Sequence, residues 1–394
     1  MNVEEIFKSY QDNIVGSYTK VPCIIVKGKG SYVWDIYGKK YLDFFPGWGV
    51  GNLGHCNPDV VTAVRDQISK LIFVPNNYYN VPQAKLAQEL NYWAGGDYKV
   101  FFCNSGAEAN EAAIKLTRKF GQGRYEIITF ENSFHGRTMA ALSATGQAKY
   151  QQGFSPLLSG FKTVAFNDFE AVKRAYTEKT VAVMLELIQG EGGINIAKKQ
   201  FILDLRRFCD EKKLLLIIDE VQTGVCRTGS MFAWQTFGVT PDIFTLAKAL
   251  GGGLPIGAML VKKEFSGILT PGTHASTFGG GPVVCRAALA VLKAAQKAKA
   301  AKNAREKGEY LSKKLNMLKS KYPVIKDIRG VGLMVGVELA REGKPVVEEC
   351  AKQGLLINCT HDTVLRIMPA LIVSKKEIDK AMKILGKALK IISA

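Results

Sequence analysis

Two apolar runs in the middle of the chain predict neighbouring buried strands. Residues 214–218 are apolar throughout and lead into Asp219, and residues 243–247, which are apolar except for Thr245, lead into Lys248. Continuous apolar runs of this length, as opposed to alternating ones, are typical of parallel strands covered on both faces. Because the carboxyl ends of parallel strands meet at one edge of a sheet, the pattern predicts that a carboxylate and an amine lie close together there.

Other parts of the chain show the periods of short strands and of amphipathic helices. Residues 26–44 alternate between apolar and polar positions, with turn signals at Gly30 and Gly38, which predicts a small antiparallel meander. Residues 58–93 show the longer period of two helices separated by a loop. The mixture of buried strands and intervening helices predicts an α/β fold.

A helix is predicted directly after the strand that ends near Asn104. Ser105 is a favourable N-cap residue, and Glu108, three positions later, predicts a capping box. Gly106 and Ala107 would leave the first amides of this helix accessible, and the positive end of the helix dipole would attract a phosphate there. A capped helix without a ligand would have the same pattern, but the nearby lysine and aspartate favour the phosphate interpretation.

The composition is that of a large globular protein. The chain has 394 residues, of which 47% are apolar and 22% charged, so it can form one large domain and a smaller one. No apolar run approaches the length of a membrane span, and the N-terminus lacks a basic segment leading into an apolar one, so we expect a cytoplasmic protein without a membrane partner. The eight cysteines form no CxxC pair, which predicts no metal site.

The formal net charge of +18 admits two interpretations. Much of the basic excess lies in residues 293–321, where lysines recur as on the solvent face of an amphipathic helix. No nucleic-acid recognition motif accompanies them, so we expect attraction of anionic substrates and no nucleic-acid partner. A catalytically silent basic scaffold that binds nucleic acid is the alternative from a different functional class, and a visible absorption band in the purified protein would argue against it.

The central segment carries a resemblance to a known family. DEVQTG begins at Asp219, Lys248 follows 29 positions later, and GGGLPIGA begins at Gly251. This pattern resembles the class III pyridoxal-phosphate aminotransferases of fold type I, over nearly the whole chain. The resemblance implies a mostly parallel seven-stranded sheet in a large cofactor-binding domain, residues 58–281. It also implies a smaller α+β domain built from both chain ends, residues 1–57 and 282–394.

The resemblance also implies a cofactor, pyridoxal 5'-phosphate, and roles for individual residues. Lys248 would hold the cofactor covalently and Asp219 would charge its ring nitrogen, which makes these two the expected catalytic residues. Phe134 and Val221 would cover the two faces of the ring, and Thr277 would reach the phosphate bound to the other subunit of a homodimer. The expected cofactor-binding residues are Ser105, Gly106, Ala107, Phe134, Asp219, Glu220, Val221, Gln222, Lys248 and Thr277.

Four residues are expected to bind the substrates: Arg137, Glu191, Ser276 and Arg366. By resemblance, Arg137 holds a carboxylate through its guanidinium, and Glu191 pairs with Arg366 and moves aside when a second carboxylate arrives.

Within the family, residues 355–369 favour the branch that acts on acetylornithine. The implied reaction is transamination of N2-acetyl-L-ornithine with 2-oxoglutarate, a step of arginine biosynthesis. Ornithine, succinylornithine and GABA remain open as alternative amino donors. Three departures from the family pattern bear on the site: Trp48, Leu187 and Cys226.

Overall fold

The computed structural model describes residues 1–393 as a succession of strands and helices. In chain order, the strands are β1 (Ile25–Lys29), β2 (Tyr32–Asp35), β3 (Lys40–Asp43), β4 (Tyr98–Cys103), β5 (Glu126–Phe130), β6 (Phe161–Val164), β7 (Thr180–Leu185), β8 (Ile188–Gln189), β9 (Asn195–Ile196), β10 (Leu215–Asp219), β11 (Ile243–Leu246), β12 (Gly257–Lys262), β13 (Ile325–Val331), β14 (Met334–Leu339), β15 (Leu355–Leu356), β16 (Asn358–Thr360) and β17 (Val364–Ile367). The α-helices are α1 (Val3–Asn13), α2 (Pro58–Ile68), α3 (Val81–Trp93), α4 (Gly106–Phe120), α5 (Met139–Ala144), α6 (Ala148–Gln151), α7 (Phe169–Ala175), α8 (Lys199–Lys212), α9 (Ala233–Phe237), α10 (Pro282–Lys297), α11 (Ala300–Lys321), α12 (Lys344–Lys352) and α13 (Lys375–Ser393). Short 3-10 turns span Lys248–Gly251 and Lys263–Phe265.

The largest sheet has seven strands in the order β4-β12-β11-β10-β7-β5-β6. Strands β11, β10, β7, β5 and β6 run parallel, and β12 is antiparallel to both of its neighbours. The predicted α/β fold with a mostly parallel seven-stranded sheet is therefore confirmed. The two central apolar runs form the adjacent strands β10 and β11, in which Asp219 pairs with Thr245.

The apolar run of β10 is continuous because the sheet is covered on both faces. Leu216 and Ile218 belong to one hydrophobic cluster, whereas Leu215 and Ile217 belong to another. Successive side chains of a strand point to opposite faces, so a strand with a core on each side needs apolar residues at every position. Strand β10 thus carries its one polar residue, Asp219, at its carboxyl end, where the chain leaves the core.

Two smaller sheets lie outside the central one. Strands β1, β2 and β3 form the predicted antiparallel meander, and β15 joins β3 in parallel, with Leu355 opposite Leu42. Strands β13, β14, β17 and β16 form the other four-stranded sheet. Residues from both ends of the chain therefore share one sheet, as the predicted smaller α+β part requires.

The lysine-rich segment differs from the single amphipathic helix that the sequence predicted. It is divided between α10 and α11, because Lys299 adopts a left-handed conformation with φ of 50°. A left-handed residue ends the helical hydrogen-bond pattern, so the segment forms two helices. Ten residues of α10 are buried, which makes it the core-facing member of the pair.

Candidate active site

A cavity of about 480 Å³ opens at the carboxyl edge of the central sheet. Apart from Val50, the residues that line it end or follow strands β4, β5, β7, β10 and β11 or precede β12, so distant parts of the sequence converge there. Its lining comprises Val50, Asn104, Ser105, Gly106, Ala107, Asn110, Phe134, His135, Gly136, Arg137, Glu186, Glu191, Asp219, Val221, Gln222, Ala247, Lys248, Gly253, Leu254, Pro255 and Ile256. This edge is where open α/β sheets bind ligands.

Lys248 lies at the end of β11 and begins the 3-10 turn Lys248–Gly251 with a left-handed φ of 46°. Its amine forms no hydrogen bond or ion pair within residues 1–393. Burial lowers the pKa of the Lys248 amine, against the opposing effect of the negative charges of Glu191 and Asp219. A lowered pKa increases the fraction of neutral amine, which is the nucleophilic form.

Asp219 is held in one orientation by three neighbours. Asn110 Nδ2 donates to its Oδ2 at 2.8 Å, His135 Nδ1 lies 2.8 Å from the same oxygen, and the Val221 amide donates to Oδ1 at 3.0 Å. Asp219 is only 4% exposed. Sequence reasoning missed Asn110. The signal that could have revealed it is its polar side chain on the alanine-rich buried face of α4.

The N-terminus of α4 forms another part of the cavity wall. The Glu108 amide donates to Ser105 Oγ at 3.2 Å, as predicted for the cap. The reciprocal half of the predicted capping box is wrong, because Glu108 Oε2 accepts from both the backbone and the side-chain nitrogens of Asn104 at 2.9 Å. The amides of Gly106 and Ala107 have no acceptor within the helix, since they belong to its first turn.

Gly106 is needed for the close approach of this turn to β10. A Cβ at Gly106 would lie 2.8 Å from Val221 Cγ1, which is too short for a real contact. Val221 and Phe134 both line the cavity, and the Phe134 ring packs edge-on against Tyr150 with a centroid separation of 5.7 Å. The Gln222 side-chain oxygen is buried without a hydrogen-bond partner among the described residues, although Gln222 also lines the cavity.

Arg137 lines the mouth of the cavity with an exposed side chain. Its guanidinium carbon lies 4.0 Å from the centroid of the Tyr150 ring and 5.5 Å from that of Phe134. Within the part of the chain that the structure describes, it forms no hydrogen bond or ion pair. Stacking on aromatic rings leaves the donors of an arginine at its edge available for a carboxylate.

Arg366 lies behind the cavity wall on β17 and is 1% exposed. Its Nη1 donates to Glu191 Oε1 at 2.5 Å and to the Gly190 carbonyl at 3.0 Å. Its Nε and Nη2 both donate to Asn358 Oδ1, at 2.8 and 2.6 Å. Glu191 lines the cavity and Arg366 does not, so the carboxylate forms the surface and the arginine supports it.

Glu186 is a cavity residue to which sequence reasoning gave no role. Its Oε2 accepts from the Phe134 amide at 3.0 Å, and its Oε1 accepts from the Gly190 amide at 3.2 Å. Burial raises the pKa of the Glu186 carboxyl to about 7, and the nearby charge of Asp219 adds to that effect. Its position directly after β7 was the only signal in the sequence.

Four of the predicted site residues do not line this cavity: Arg366, Glu220, Ser276 and Thr277. Glu220 points to the opposite side from Asp219, and its carboxylate accepts from Thr223 Oγ1 at 2.5 Å and from the Trp234 amide at 2.8 Å. Burial raises the pKa of Glu220 to about 7. Ser276 lines a separate cavity, and Thr277 is exposed.

The three departures from the family pattern are accommodated in different ways. Trp48 is 47% exposed, has a left-handed φ of 56° and packs edge-on against Phe45, outside the cavity lining. Leu187 is buried, and its carbonyl accepts the Ala197 amide at 2.9 Å. Cys226 has a left-handed φ of 70°, a conformation that glycine adopts at lower cost.

Two further observations concern residues 1–393 only. They contain no group of three or more histidine, cysteine, aspartate or glutamate side chains arranged to bind a metal ion. None of their helices is long and apolar enough to cross a membrane.

The chain is similar to known aminotransferases along almost its full length. The model of the family "Aminotransferase class-III" matches residues 15–389. The acetylornithine aminotransferase of Methanocaldococcus jannaschii is 52% identical over 375 residues, which are 94% of this chain and 94% of that protein. The acetylornithine aminotransferase of Caldanaerobacter subterraneus subsp. tengcongensis is 50% identical, over 95% of this chain and 97% of its own.

Solved structures show the same similarity. The ornithine aminotransferase of Toxoplasma gondii superposes with a TM-score of 0.95 at 33% identity, over 100% of this chain and 96% of that one. A second structure of that enzyme, with a TM-score of 0.95 at 33% identity over 99% of this chain and 95% of its own, has partial occupancy of PLP at its active site. The acetylornithine aminotransferase of Elizabethkingia anophelis has a TM-score of 0.89 at 30% identity, over 99% and 100% of the two chains.

The cavity fits the cofactor of this family. The free amides of α4 suit a phosphate, the fixed carboxylate of Asp219 suits a basic ring nitrogen, and the unpartnered amine of Lys248 suits a carbonyl. Gln222, whose side-chain oxygen has no hydrogen-bond partner among the described residues, adds a polar group to the same cavity wall. The chain belongs to the class III aminotransferases, which are pyridoxal-phosphate-dependent enzymes of fold type I.

Proposed function

We propose that this enzyme transfers the terminal amine of N2-acetyl-L-ornithine to 2-oxoglutarate, giving N-acetyl-L-glutamate 5-semialdehyde and L-glutamate in arginine biosynthesis. The observation that carries the proposal is the contrast between Arg137, which is unpaired at the cavity mouth, and Arg366, which Glu191 covers. The names of the relatives from Methanocaldococcus jannaschii and Caldanaerobacter subterraneus support the choice of donor.

Lys248 and Asp219 are the catalytic residues of this proposal. When bound, pyridoxal phosphate supplies an electron sink for the pair of electrons left on the substrate carbon as its proton departs. The Lys248 amine holds the cofactor and then moves the proton at that carbon, for which its lowered pKa is suited. The Asp219 carboxylate, fixed by Asn110 and His135, holds a proton on the ring nitrogen.

The remaining cofactor contacts follow from the cavity wall. The amides of Gly106 and Ala107, with the Ser105 cap beside them, would hold the phosphate at the N-terminus of α4. Phe134, Val221 and Gln222 line the same cavity, where the first two would cover the ring and the Gln222 side chain would bind the ring oxygen. Glu220, whose carboxylate accepts from Thr223 and from the Trp234 amide, would support the loop that follows β10.

The arginines explain how one pocket handles two unlike substrates. Acetylornithine carries no carboxylate beside its reacting amine, whereas 2-oxoglutarate carries one beside its reacting carbonyl. Arg137 binds the distal carboxylate of both, because its donors are available at the mouth. Glu191 keeps Arg366 paired during the first half-reaction and releases it to 2-oxoglutarate during the second.

Thr277 supports a homodimer as the functional unit, whereas Ser276 adjoins the substrate cavity of its own chain. Thr277 is exposed on this chain, and a side chain that serves the phosphate of another subunit must be accessible. Ser276 Oγ accepts from Asn104 Nδ2 at 3.2 Å, so it adjoins the cavity through Asn104 and acts on the substrate indirectly.

The same proposal includes the domain boundaries, the cellular location and the partners of the enzyme. The large cofactor-binding domain comprises residues 58–281, and the smaller domain comprises residues 1–57 and 282–394. The enzyme works in the cytoplasm on small-molecule substrates, without a membrane or nucleic-acid partner. Its net charge of +18 attracts substrates that carry carboxylates.

A panel of amino donors tests the proposal. The purified holoenzyme is supplied with 2-oxoglutarate and with N-acetylornithine, N-succinylornithine, ornithine or GABA, and glutamate formation is measured. We expect a kcat/KM for acetylornithine at least about tenfold above that for the others, which corresponds to ~1.4 kcal/mol of preferential binding in the transition state. Equal or better use of ornithine would favour the second candidate, an ornithine aminotransferase, which the structural similarity to the Toxoplasma gondii enzyme supports.

A further inference from the structure

One buried carboxyl joins the two parts of the cavity wall that carry the substrate-binding charges. Glu186 Oε2 accepts from the amide of Phe134, three residues before Arg137. Glu186 Oε1 accepts from the amide of Gly190, the residue before Glu191. The two segments come from different loops, after β5 and after β7, and this side chain links their backbones.

Gly190 extends the link as far as Arg366. The Gly190 carbonyl accepts from Arg366 Nη1 at 3.0 Å. The same residue therefore donates to Glu186 through its amide and supports Arg366 through its carbonyl. Gly190 also packs closely against Gln222, because a Cβ on Gly190 would overlap the Gln222 side-chain amide. The segment is thus packed against Gln222 and hydrogen-bonded to Glu186.

We propose that Glu186 is a positioning residue that sets the distance between the two carboxylate-binding arginines, Arg137 and Arg366, and thereby selects the chain length of the keto-acid acceptor. The proposal rests on the proposed function, in which a dicarboxylate is held at both ends. An acceptor held at both ends is sensitive to the spacing of its anchors, whereas a substrate held at one end is not.

The burial of Glu186 suits this role. Glu186 is 6% exposed, and each of its two oxygens accepts one backbone amide, so its removal would leave buried donors without partners. Burial raises its pKa to about 7, and a carboxyl group keeps two acceptor oxygens in either protonation state. The link can therefore persist on both sides of neutral pH.

Glu186→Gln is the variant that tests the role most directly. The amide has nearly the shape of the carboxyl group but only one acceptor oxygen, so one of the two backbone links is lost. The readout is kcat/KM with three keto-acid acceptors that differ by one methylene: oxaloacetate, 2-oxoglutarate and 2-oxoadipate, with a single amino donor. We expect the preference for 2-oxoglutarate over the other two to fall by about tenfold, the order of the effect of losing one buried hydrogen bond.

A merely structural role predicts a different result. Looser packing would lower kcat/KM with all three acceptors by the same factor, and an unchanged preference ratio in Glu186→Gln would overturn the proposal. Glu186→Asp provides a second variant if the first does not fold, because it keeps both acceptor oxygens on a side chain one methylene shorter. It should reduce the preference in the same direction.

A matched control is available at the opposite edge of the sheet. Asp242 is also a buried carboxyl that accepts a backbone amide, that of Leu216 at 2.8 Å, but it lies outside the cavity lining. Asp242→Asn should lower thermal stability and leave the acceptor ratios unchanged; altered ratios in this control would overturn the assignment to Glu186.

The outcomes also separate this proposal from the choice of amino donor. If the wild-type enzyme uses 2-oxoglutarate with a donor other than acetylornithine, the proposed amino donor is refuted. The ratios of kcat/KM among the acceptors would still decide the role of Glu186. Wild-type activity with acetylornithine, together with an equal loss for all acceptors in Glu186→Gln, would refute the spacing role alone.

Discussion

The exchange of partners at Arg366 can be tested with Glu191→Ala. The substitution removes the carboxylate that lies 2.5 Å from Arg366 Nη1. The contacts of Arg366 with Asn358 and with the Gly190 carbonyl should remain, so the arginine stays in position with one donor unpaired. We expect the variant to bind any carboxylate next to the reacting carbon without first having to displace Glu191.

The magnitude follows from the ion pair. A hydrogen bond between charged groups contributes about 1.5–3 kcal/mol, which corresponds to roughly a 10- to 150-fold change in an equilibrium constant. An α-amino donor such as glutamate places a carboxylate at Arg366, whereas acetylornithine does not. The selectivity of the first half-reaction for acetylornithine over glutamate should therefore fall by roughly 10-fold or more in Glu191→Ala.

Single-turnover measurements of each half-reaction, followed by visible absorbance, resolve the two steps. The half-reaction with 2-oxoglutarate should survive, because its carboxylate replaces the missing one. Glu338→Ala is a matched control, since Glu338 Oε2 lies 2.5 Å from Arg329 Nη1 in the same small sheet but outside the cavity lining. Equal impairment of both half-reactions with unchanged donor selectivity would refute the exchange and leave Glu191–Arg366 as a static ion pair.

Three further predictions concern single residues. Asp219→Asn should keep the fold and the cofactor but slow proton removal by about 100-fold or more in single turnovers, the order found when an electrostatic contact to the reacting charge is lost; wild-type rates would remove Asp219 from the mechanism. Arg137→Gln should raise KM about tenfold or more in steady-state kinetics for acetylornithine and for 2-oxoglutarate alike, because both substrates lose the same carboxylate anchor. An increase in KM for only one of the two substrates would contradict this shared role. The pKa of Glu220 is raised from 4.5 to about 7, so the folded protein holds a proton on this carboxyl more tightly than the unfolded chain does. The protonated carboxyl therefore contributes fully to the free energy of unfolding below pH 4.5, and this contribution is lost as the pH rises through about 7. The Tm of Glu220→Gln relative to wild type should therefore rise between pH 5.5 and pH 8, and a difference independent of pH would contradict the shift.

Residues at strand ends could be predicted because the apolar runs mark where each buried strand stops. Asp219 and Lys248 follow such runs directly, and the topology of parallel strands brings their ends to one edge. Gly106 and Ala107 could be predicted for the same reason, since they begin the helix after β4. Local pattern and chain direction therefore place Asp219, Lys248, Gly106 and Ala107 at one edge of the sheet, whereas Phe134, Val221 and Gln222 were expected only from the family resemblance.

Residues whose role depends on orientation or on distant partners could not be predicted from local pattern. Glu220 is adjacent to Asp219, but consecutive side chains at a strand end point to opposite sides, and its carboxylate is bound to Thr223 and Trp234. Asn110 and Glu186 contribute through bonds to residues far away in the chain, which no sequence period encodes.

The central claim is that Lys248 holds the cofactor at the end of β11. The most direct measurement is reduction of the holoenzyme with borohydride, followed by proteolysis and mass spectrometry of the labelled peptides. We predict that the cofactor is found attached to Lys248 and that Lys248→Ala shows no label and negligible turnover. Attachment to any other lysine, or an active Lys248→Ala enzyme, would contradict the account.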